Sequence, residues 1–146
     1  MFVSHRFIKG LSLFLGVLMF AFGFLKFFQP FHGWFEVQIE RSHLPHEAIL
    51  AGKVGEMVTG CLFLLPWLRK GLPVVQRDLL LLMGCVMLVS QMVVAIYVHL
   101  QPAVPASVLP LGIKPPVIPV FVLVLALMAA NAVWKELRAE KAGGTV

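Results

Sequence analysis

Four long apolar runs dominate this chain, at about residues 7–28, 48–68, 79–100 and 117–134. As a helix rising about 1.5 Å per residue, each run is long enough to cross a hydrocarbon core of ~30 Å. A water-soluble domain of 146 residues that is 60% hydrophobic and only 13% charged could not bury so much apolar surface. The runs therefore predict an all-α fold, a four-transmembrane-helix antiparallel bundle in which residues 1–146 form a single integral membrane domain.

The basic residues flank the apolar runs and predict the orientation of the bundle. The N-terminus, the second connection and the C-terminal tail carry eight of them: Arg6, Lys9, Arg69, Lys70, Arg77, Lys135, Arg138 and Lys141. The other side carries four: Lys26, Arg41, Lys53 and Lys114. Because cytoplasmic loops hold the excess of Lys and Arg, both termini are expected in the cytoplasm of a multi-pass cell-membrane protein, with the bacterial inner membrane as its expected location. The basic residues form no single patch, which argues against a nucleic-acid partner.

Five polar side chains in or beside the runs are candidate ligand-binding residues: Lys26, Lys53, Glu56, Gln91 and His99. On a helical wheel Glu56 shares a stripe with the small residues Gly52 and Gly60, while Gln91 and His99 share a stripe on the third run. Ionisable groups inside a membrane span usually face protein or a water-filled cavity and mark functional sites. We therefore expect a small polar pocket in the outward half of the bundle, built from the first three spans.

Each of these candidates also has a structural interpretation. Lys26 and Glu56 could form a buried ion pair whose only role is to fix helix register. Lys53 fits a lysine that reaches Glu56 or snorkels outward, and Gln91 fits a hydrogen bond between two helices. His99, near a helix end, fits an interfacial residue as well as a ligand.

The remaining conspicuous segments predict structure and not chemistry. The proline-rich residues 101–116 are expected to be extended and stiff, and to lie over the mouth of the pocket. Residues 34–41 predict a short surface helix. The connection before the second run holds histidines and glutamates whose spacing matches no standard metal-ligand pattern, so no metal site is predicted: His32, Glu36, His43, His46 and Glu47.

The cysteines and tryptophans are likewise expected to be structural. On the helical wheel Cys61 and Cys85 point away from the polar stripes, and we interpret both as small buried hydrophobes. Trp34, Trp67 and Trp134 lie at the ends of apolar runs, where tryptophan commonly anchors a helix at the membrane interface.

Three short motifs, taken in order, resemble the DoxX-like family of small four-helix membrane proteins. The first helix ends in Gly-Phe-Leu-Lys-Phe with Lys26, the second carries Gly-Glu and then Thr-Gly around Glu56, and the third ends in Ala-Ile-Tyr-Val-His with His99. The resemblance covers most of the chain. It implies that Lys26 and Glu56 occupy recurring family positions and that His99 takes the polar position ending the third helix.

The resemblance also implies a set of alternative functions. We expect an accessory subunit of a membrane-associated redox system with a small outward-facing polar pocket. One alternative is an oxidoreductase subunit that binds quinone or a small sulfur compound, with Glu56 as proton acceptor and Lys26 or His99 as the cationic contact; quinone is then the candidate cofactor. Another is an assembly factor for a second membrane protein. The expected partners are the lipid bilayer, a small hydrophobic ligand, and another membrane protein or a second copy of this chain.

Overall fold

The computed structural model describes residues 5–143, which fold into five α-helices and two short 3-10 turns and contain no strand. The helices are α1 (His5–Leu25), α2 (Phe31–Arg41), α3 (Glu47–Leu68), α4 (Val74–Leu100) and α5 (Val117–Gly143). Of these, α1, α3, α4 and α5 are long and apolar enough to cross a membrane. The all-helical fold with four candidate membrane spans is therefore confirmed, and the protein is a multi-pass membrane protein by length and composition of its helices.

Two spans are longer than predicted because polar residues next to their apolar runs are also helical. The helix α4 begins at Val74 and not near residue 79, directly after Pro73, whose missing N–H costs nothing at a helix start. The helix α5 runs on to Gly143 instead of ending near residue 134. Its polar extension has a partner, since Glu136 forms an ion pair with Arg77 in the first turn of α4.

The segment between α1 and α3 forms the helix predicted for residues 34–41, about one turn longer at its start. The buried side chains of α2, Phe35 and Ile39, pack with Ile49 at the beginning of α3. This contact places α2 across one end of the four long helices, where it contributes to the cavity described below.

The helices α1 and α3 approach closely through glycines. A Cβ added at Gly60 would lie 2.6 Å from the backbone nitrogen of Phe20, and one added at Gly23 would lie 2.8 Å from the carbonyl oxygen of Lys53. Small residues let two helix backbones come this close inside a membrane, where lipid tails compete for apolar side chains. Gly23 of α1 and Gly60 of α3 thus both lie where the two helix backbones are in contact.

The core lies between the four long helices and the outer surface is apolar. Phe63, Leu81 and Leu88 are fully buried in the core, together with Leu15 of α1 and Ala126 of α5. Large apolar side chains are exposed around the outside, among them Val17, Leu68 and Val86. A lipid-facing surface has this composition, whereas a soluble protein rarely exposes so continuous an apolar area.

The proline-rich connection between α4 and α5 is folded, which corrects the expectation of an extended segment. It forms two 3-10 turns, Ala106–Val108 and Pro110–Gly112, and buries Val104 and Leu109. The ammonium of Lys114 closes it by donating hydrogen bonds to backbone carbonyls within the connection. Prolines remove backbone donors, so a side chain supplies the donors that hold this segment together.

Candidate functional site

A cavity of about 360 Å³ lies at the end of the bundle where α1 and α4 finish and α3 and α5 begin. All five helices and the α4–α5 connection contribute to it. Most of its lining is hydrocarbon, from residues such as Leu18, Phe22 and Val122. Six polar side chains also line it, and we call them the polar wall: Lys26, Gln38, Glu56, Ser90, Gln91 and His99. A mostly apolar cavity with a few placed polar groups is the usual form of a small-molecule site.

An ion pair between Lys26 and Glu56 is the charged part of the polar wall. Lys26 follows the last residue of α1, and its Nζ lies 2.5 Å from Oε1 of Glu56 on α3. The two side chains are 18% and 13% exposed. The same ammonium lies 4.0 Å from the ring centroid of Phe35 on α2, which adds a cation–π contact. The predicted Lys26–Glu56 pair is present, and it joins α1 to α3 at the cavity.

Gln91 makes the predicted hydrogen bond between helices, and the network around it fixes the orientation of its amide. Thr59 Oγ1 donates to the carbonyl oxygen of Gly55, 2.8 Å away and one turn earlier on α3. With its hydrogen used there, the hydroxyl can only accept, and Gln91 Nε2 donates to it at 2.9 Å. The carbonyl oxygen Oε1 of Gln91 is thereby left as a buried acceptor with no hydrogen-bond partner among the described residues.

His99 is buried at the end of α4 and lines the cavity, with 4% of its surface exposed. Its Nδ1 lies 3.2 Å from the carbonyl oxygen of Lys114. Because a carbonyl only accepts, Nδ1 carries the hydrogen, and Nε2 holds a lone pair in the neutral ring. Gln38 of α2 makes a similar contact, donating from Nε2 to the carbonyl oxygen of Val108. Both contacts fasten the α4–α5 connection beside the cavity, and Pro110 of that connection lines it.

Lys53 does not line the cavity. Its side chain is only 5% exposed, so it does not snorkel outward as predicted. Its Nζ lies 2.6 Å from Nδ1 of His32 on α2, and Nε2 of that histidine lies 3.2 Å from Oε1 of Glu36. The fold-back of α2 covers Lys53 and supplies this partner, which a helical wheel of α3 alone cannot reveal. A ligand-binding role for Lys53 stays a prediction without support from its position.

The apolar runs also predict that the other half of the bundle is nearly pure hydrocarbon apart from Asn131, and this prediction is wrong. Four residues there form what we call the Arg77 cluster: His5, Arg77, Asp78 and Glu136. Arg77 Nη2 lies 2.7 Å from Asp78 Oδ1 and 3.1 Å from Glu136 Oε2, and Nη1 lies 3.2 Å from His5 Nδ1. Asp78 is fully buried. The adjacent Arg and Asp at the head of an apolar run are the sequence signal for this cluster.

Trp67 packs against this second cluster and is not only an interfacial anchor. The Arg77 guanidinium lies 5.4 Å from its ring centroid, and its Nε1 donates to Ser12 Oγ at 2.8 Å. The cysteines are both free, and neither lines the cavity, as the helical wheel predicted. Cys85 is buried as expected, while Cys61 is half-buried. Among residues 5–143, no three His, Cys, Asp or Glu side chains are grouped so that they could hold a metal ion.

Comparison with known proteins leaves the sequence and the geometry as the only basis for function. No family model matches the chain. No curated protein and no solved structure shows significant similarity to it. The resemblance to the DoxX-like family therefore stays a prediction that rests on the short motifs around Lys26, Glu56 and His99.

Proposed function

We propose that this multi-pass membrane protein binds a small, largely apolar molecule in the cavity, with the polar end of the ligand at the polar wall. The observation that carries the proposal is the placement of Lys26, Glu56, Gln91 and His99 around one cavity. Burying polar and charged groups inside a membrane costs free energy unless they bind each other or a ligand. Their convergence on an open space, with hydrocarbon around the rest of it, favours a binding site over a purely structural cluster.

The proposal includes an antiparallel bundle with both termini in the cytoplasm. Contacts between helix ends support this arrangement. His5, the first residue of α1, lies 3.4 Å from Glu136 in the last part of α5, while Lys26 just after α1 reaches Glu56 in the first half of α3. Together with the excess of basic residues near the Arg77 cluster, these contacts support the proposal that the cavity lies in the outward half of the membrane, which we propose is the bacterial inner membrane.

A role as an accessory subunit of a membrane redox system, in the manner of DoxX-like proteins, is the biological context that we propose for this site. The ligands that the resemblance implies are a quinone and a small sulfur compound. Binding is better supported than catalysis, because Lys26 and Glu56 neutralise each other across 2.5 Å. A proton acceptor or a cationic contact for a substrate would first have to leave this pair.

Co-purification of a ligand tests the proposed function directly. The wild-type protein and the variant Ala95→Leu are purified in parallel in a mild detergent, and bound small molecules are extracted and identified by mass spectrometry. Ala95 lines the cavity, so the larger side chain reduces the space available to a ligand. Val93→Leu is the matched control, since Val93 is on the same helix but 56% exposed at the outer surface and outside the cavity.

We expect one small molecule to accompany the wild type and Val93→Leu and to be depleted from Ala95→Leu. Equal extracts from all three proteins, at equal folded amounts, would contradict a ligand site in this cavity. A protein partner retained by all three, with no small molecule, would instead favour an accessory or assembly role through the outer surface.

A further inference from the structure

We infer that the ligand of the cavity is an uncharged molecule whose polar end donates hydrogen bonds, as a hydroxyl group on an apolar body does. This inference rests on the proposed function and specifies the ligand of the same site. It follows from three features of the polar wall: where its donors are directed, which of its acceptors lack a partner, and how its charges balance.

Every side chain of the polar wall that can donate directs a donor atom at the protein. Lys26 Nζ donates to Glu56 and faces the ring of Phe35. Four other donors reach oxygens within the fold, from Gln38 to Val108, from Ser90 to Val86, from Gln91 to Thr59 and from His99 to Lys114. Each side chain of the wall that can donate thus already bonds through a donor atom within the fold, Ser90 to its own helix and the others to a neighbouring helix or connection.

Two buried acceptors of the polar wall have no hydrogen-bond donor among residues 5–143. They are Oε2 of Glu56 and Oε1 of Gln91. The bonds made by Gln38 and His99 use Nε2 and Nδ1, so Oε1 of Gln38 and Nε2 of His99 are further acceptors on the same wall. A buried acceptor without a donor is costly, and a donor brought by a ligand recovers that cost. The wall therefore selects a ligand that donates.

The charges of the wall favour an uncharged ligand. Among the described residues that line the cavity, Lys26 and Glu56 are the only Lys, Arg, Asp or Glu side chains, and they form a pair with each other. An anionic or cationic ligand would bring an uncompensated charge into an apolar space, which is expensive inside a membrane. The ligand body faces hydrocarbon from α1, α4 and α5, including Leu18, Val94 and Val122.

These features separate the ligands considered above. An anionic sulfur compound does not match the wall, because it brings charge and accepts hydrogen bonds without donating them. The oxidised form of a quinone does not match either, since its carbonyl oxygens only accept. A phenol or a long-chain alcohol matches both the acceptors and the apolar lining.

Three probes with one body and different head groups test the inference: para-hexylphenol, para-hexylanisole and para-hexylbenzoate. The phenol donates, its methyl ether only accepts, and the benzoate is anionic. Binding is measured by equilibrium dialysis against wild-type protein in lipid nanodiscs, with empty nanodiscs of the same lipid to subtract partitioning. We expect saturable binding of the phenol, and affinities about tenfold or more lower for the anisole and the benzoate, because they leave the acceptors unpaired.

Two variants show whether the acceptors of the wall carry the selectivity. Glu56→Gln exchanges a carboxylate oxygen for an amide donor, and Gln91→Leu removes an acceptor, so each should reduce the preference for the phenol over the anisole. Val93→Leu, on the lipid-facing side of α4, should keep the wild-type preference. Gel filtration and circular dichroism establish that each variant is folded before its affinities are compared.

The possible failures can be told apart. Anisole binding as tight as phenol binding, or tighter benzoate binding, would overturn the inference about the head group and leave the cavity as a ligand site. Unchanged phenol preference in both folded variants would also overturn it, since the acceptors would then be irrelevant. Failure of all three probes to bind saturably would count against the proposed function as well.

Discussion

The two polar clusters of the bundle contain similar ion pairs in different surroundings. At the cavity, Lys26 and Glu56 keep partial exposure, at 18% and 13%, beside an open space of about 360 Å³. In the Arg77 cluster, Arg77 and the fully buried Asp78 pack against Trp67 and Glu136. One ion pair borders a cavity and the other is enclosed by packed side chains. The comparison indicates that the space around a charged pair, and not its composition, separates a candidate binding site from a structural tie.

Removing the guanidinium of the Arg77 cluster should give the largest loss of stability. Arg77→Met leaves Asp78 buried without a counter-charge and removes one of the two partners of Glu136, the other being His5. We expect a loss of about 3–5 kcal/mol in the free energy of unfolding, as for other broken buried pairs. Denaturant unfolding in detergent micelles, followed by circular dichroism, measures it.

A double variant and a surface control make this prediction specific. Arg77→Met with Asp78→Asn removes both charges of the closest ion pair in the Arg77 cluster and should recover part of the lost stability. Lys70→Met, at an exposed basic residue nearby in sequence, should change stability by less than about 0.5 kcal/mol. An Arg77→Met variant as stable as the wild type would show that the cluster is no structural tie.

The close contact of α1 and α3 at Gly23 and Gly60, which we call the glycine seam, should give the next largest effect when it is disturbed. In Gly60→Ala the added Cβ would lie 2.6 Å from the backbone nitrogen of Phe20, so α1 and α3 must separate. We expect a loss of about 1–3 kcal/mol by the same unfolding measurement. Gly10→Ala is the control, because nothing lies within 4 Å of a Cβ there and alanine favours a helix over glycine by roughly 0.5–1 kcal/mol. Equal effects of the two substitutions would contradict the close packing of the seam.

Breaking the Lys26–Glu56 pair should lower the stability less than breaking the Arg77 cluster does, and it should weaken ligand binding more. We expect Lys26→Met or Glu56→Gln to lower stability by about 1–2 kcal/mol, less than in the enclosed cluster because both side chains retain some exposure. The double variant should be more stable than either single one, since no lone charge remains. Unfolding gives the stabilities and para-hexylphenol dialysis gives the binding. Single variants that lose binding but match the double variant in stability would argue against a coupled pair.

The cysteines should give the smallest effect. Neither Cys61 nor Cys85 lines the cavity and both are free. Cys61→Ser together with Cys85→Ala should leave the affinity for para-hexylphenol within about twofold of wild type, with a modest loss of stability from the buried position of Cys85. A large loss of binding by the folded variant would indicate that a cysteine thiol takes part in ligand binding.

The sequence was most informative where one helix could be considered alone. The four spans follow from hydrocarbon run length, and the stripes of Glu56, Gln91 and His99 on their own helices point to residues that do line the cavity. Lys26 is predictable for the same reason, as a charge at the end of a run. These signals are local, since they depend on helical periodicity and on the cost of a polar group in lipid.

The remaining features depend on contacts between segments far apart in the chain. His32 covers Lys53 only because α2 folds back, and Glu136 meets Arg77 only because α5 continues as a helix beyond its apolar run. Val122 lines the cavity, but this could not be predicted from the sequence because nothing distinguishes one apolar residue from its neighbours in an apolar run. The proline count of residues 101–116 suggested an extended segment, but the donors of Lys114 fold it.

Binding of para-hexylphenol to two double variants tests the central contrast most directly. One carries Lys26→Met and Glu56→Gln, and the other carries Arg77→Met and Asp78→Asn; both remove a complete ion pair. In nanodiscs containing folded protein, we expect the first to lose about tenfold or more in affinity and the second to bind like the wild type. Retained binding in the first, or loss only in the second, would contradict the assignment of the cavity as the binding site and of the Arg77 cluster as the structural tie.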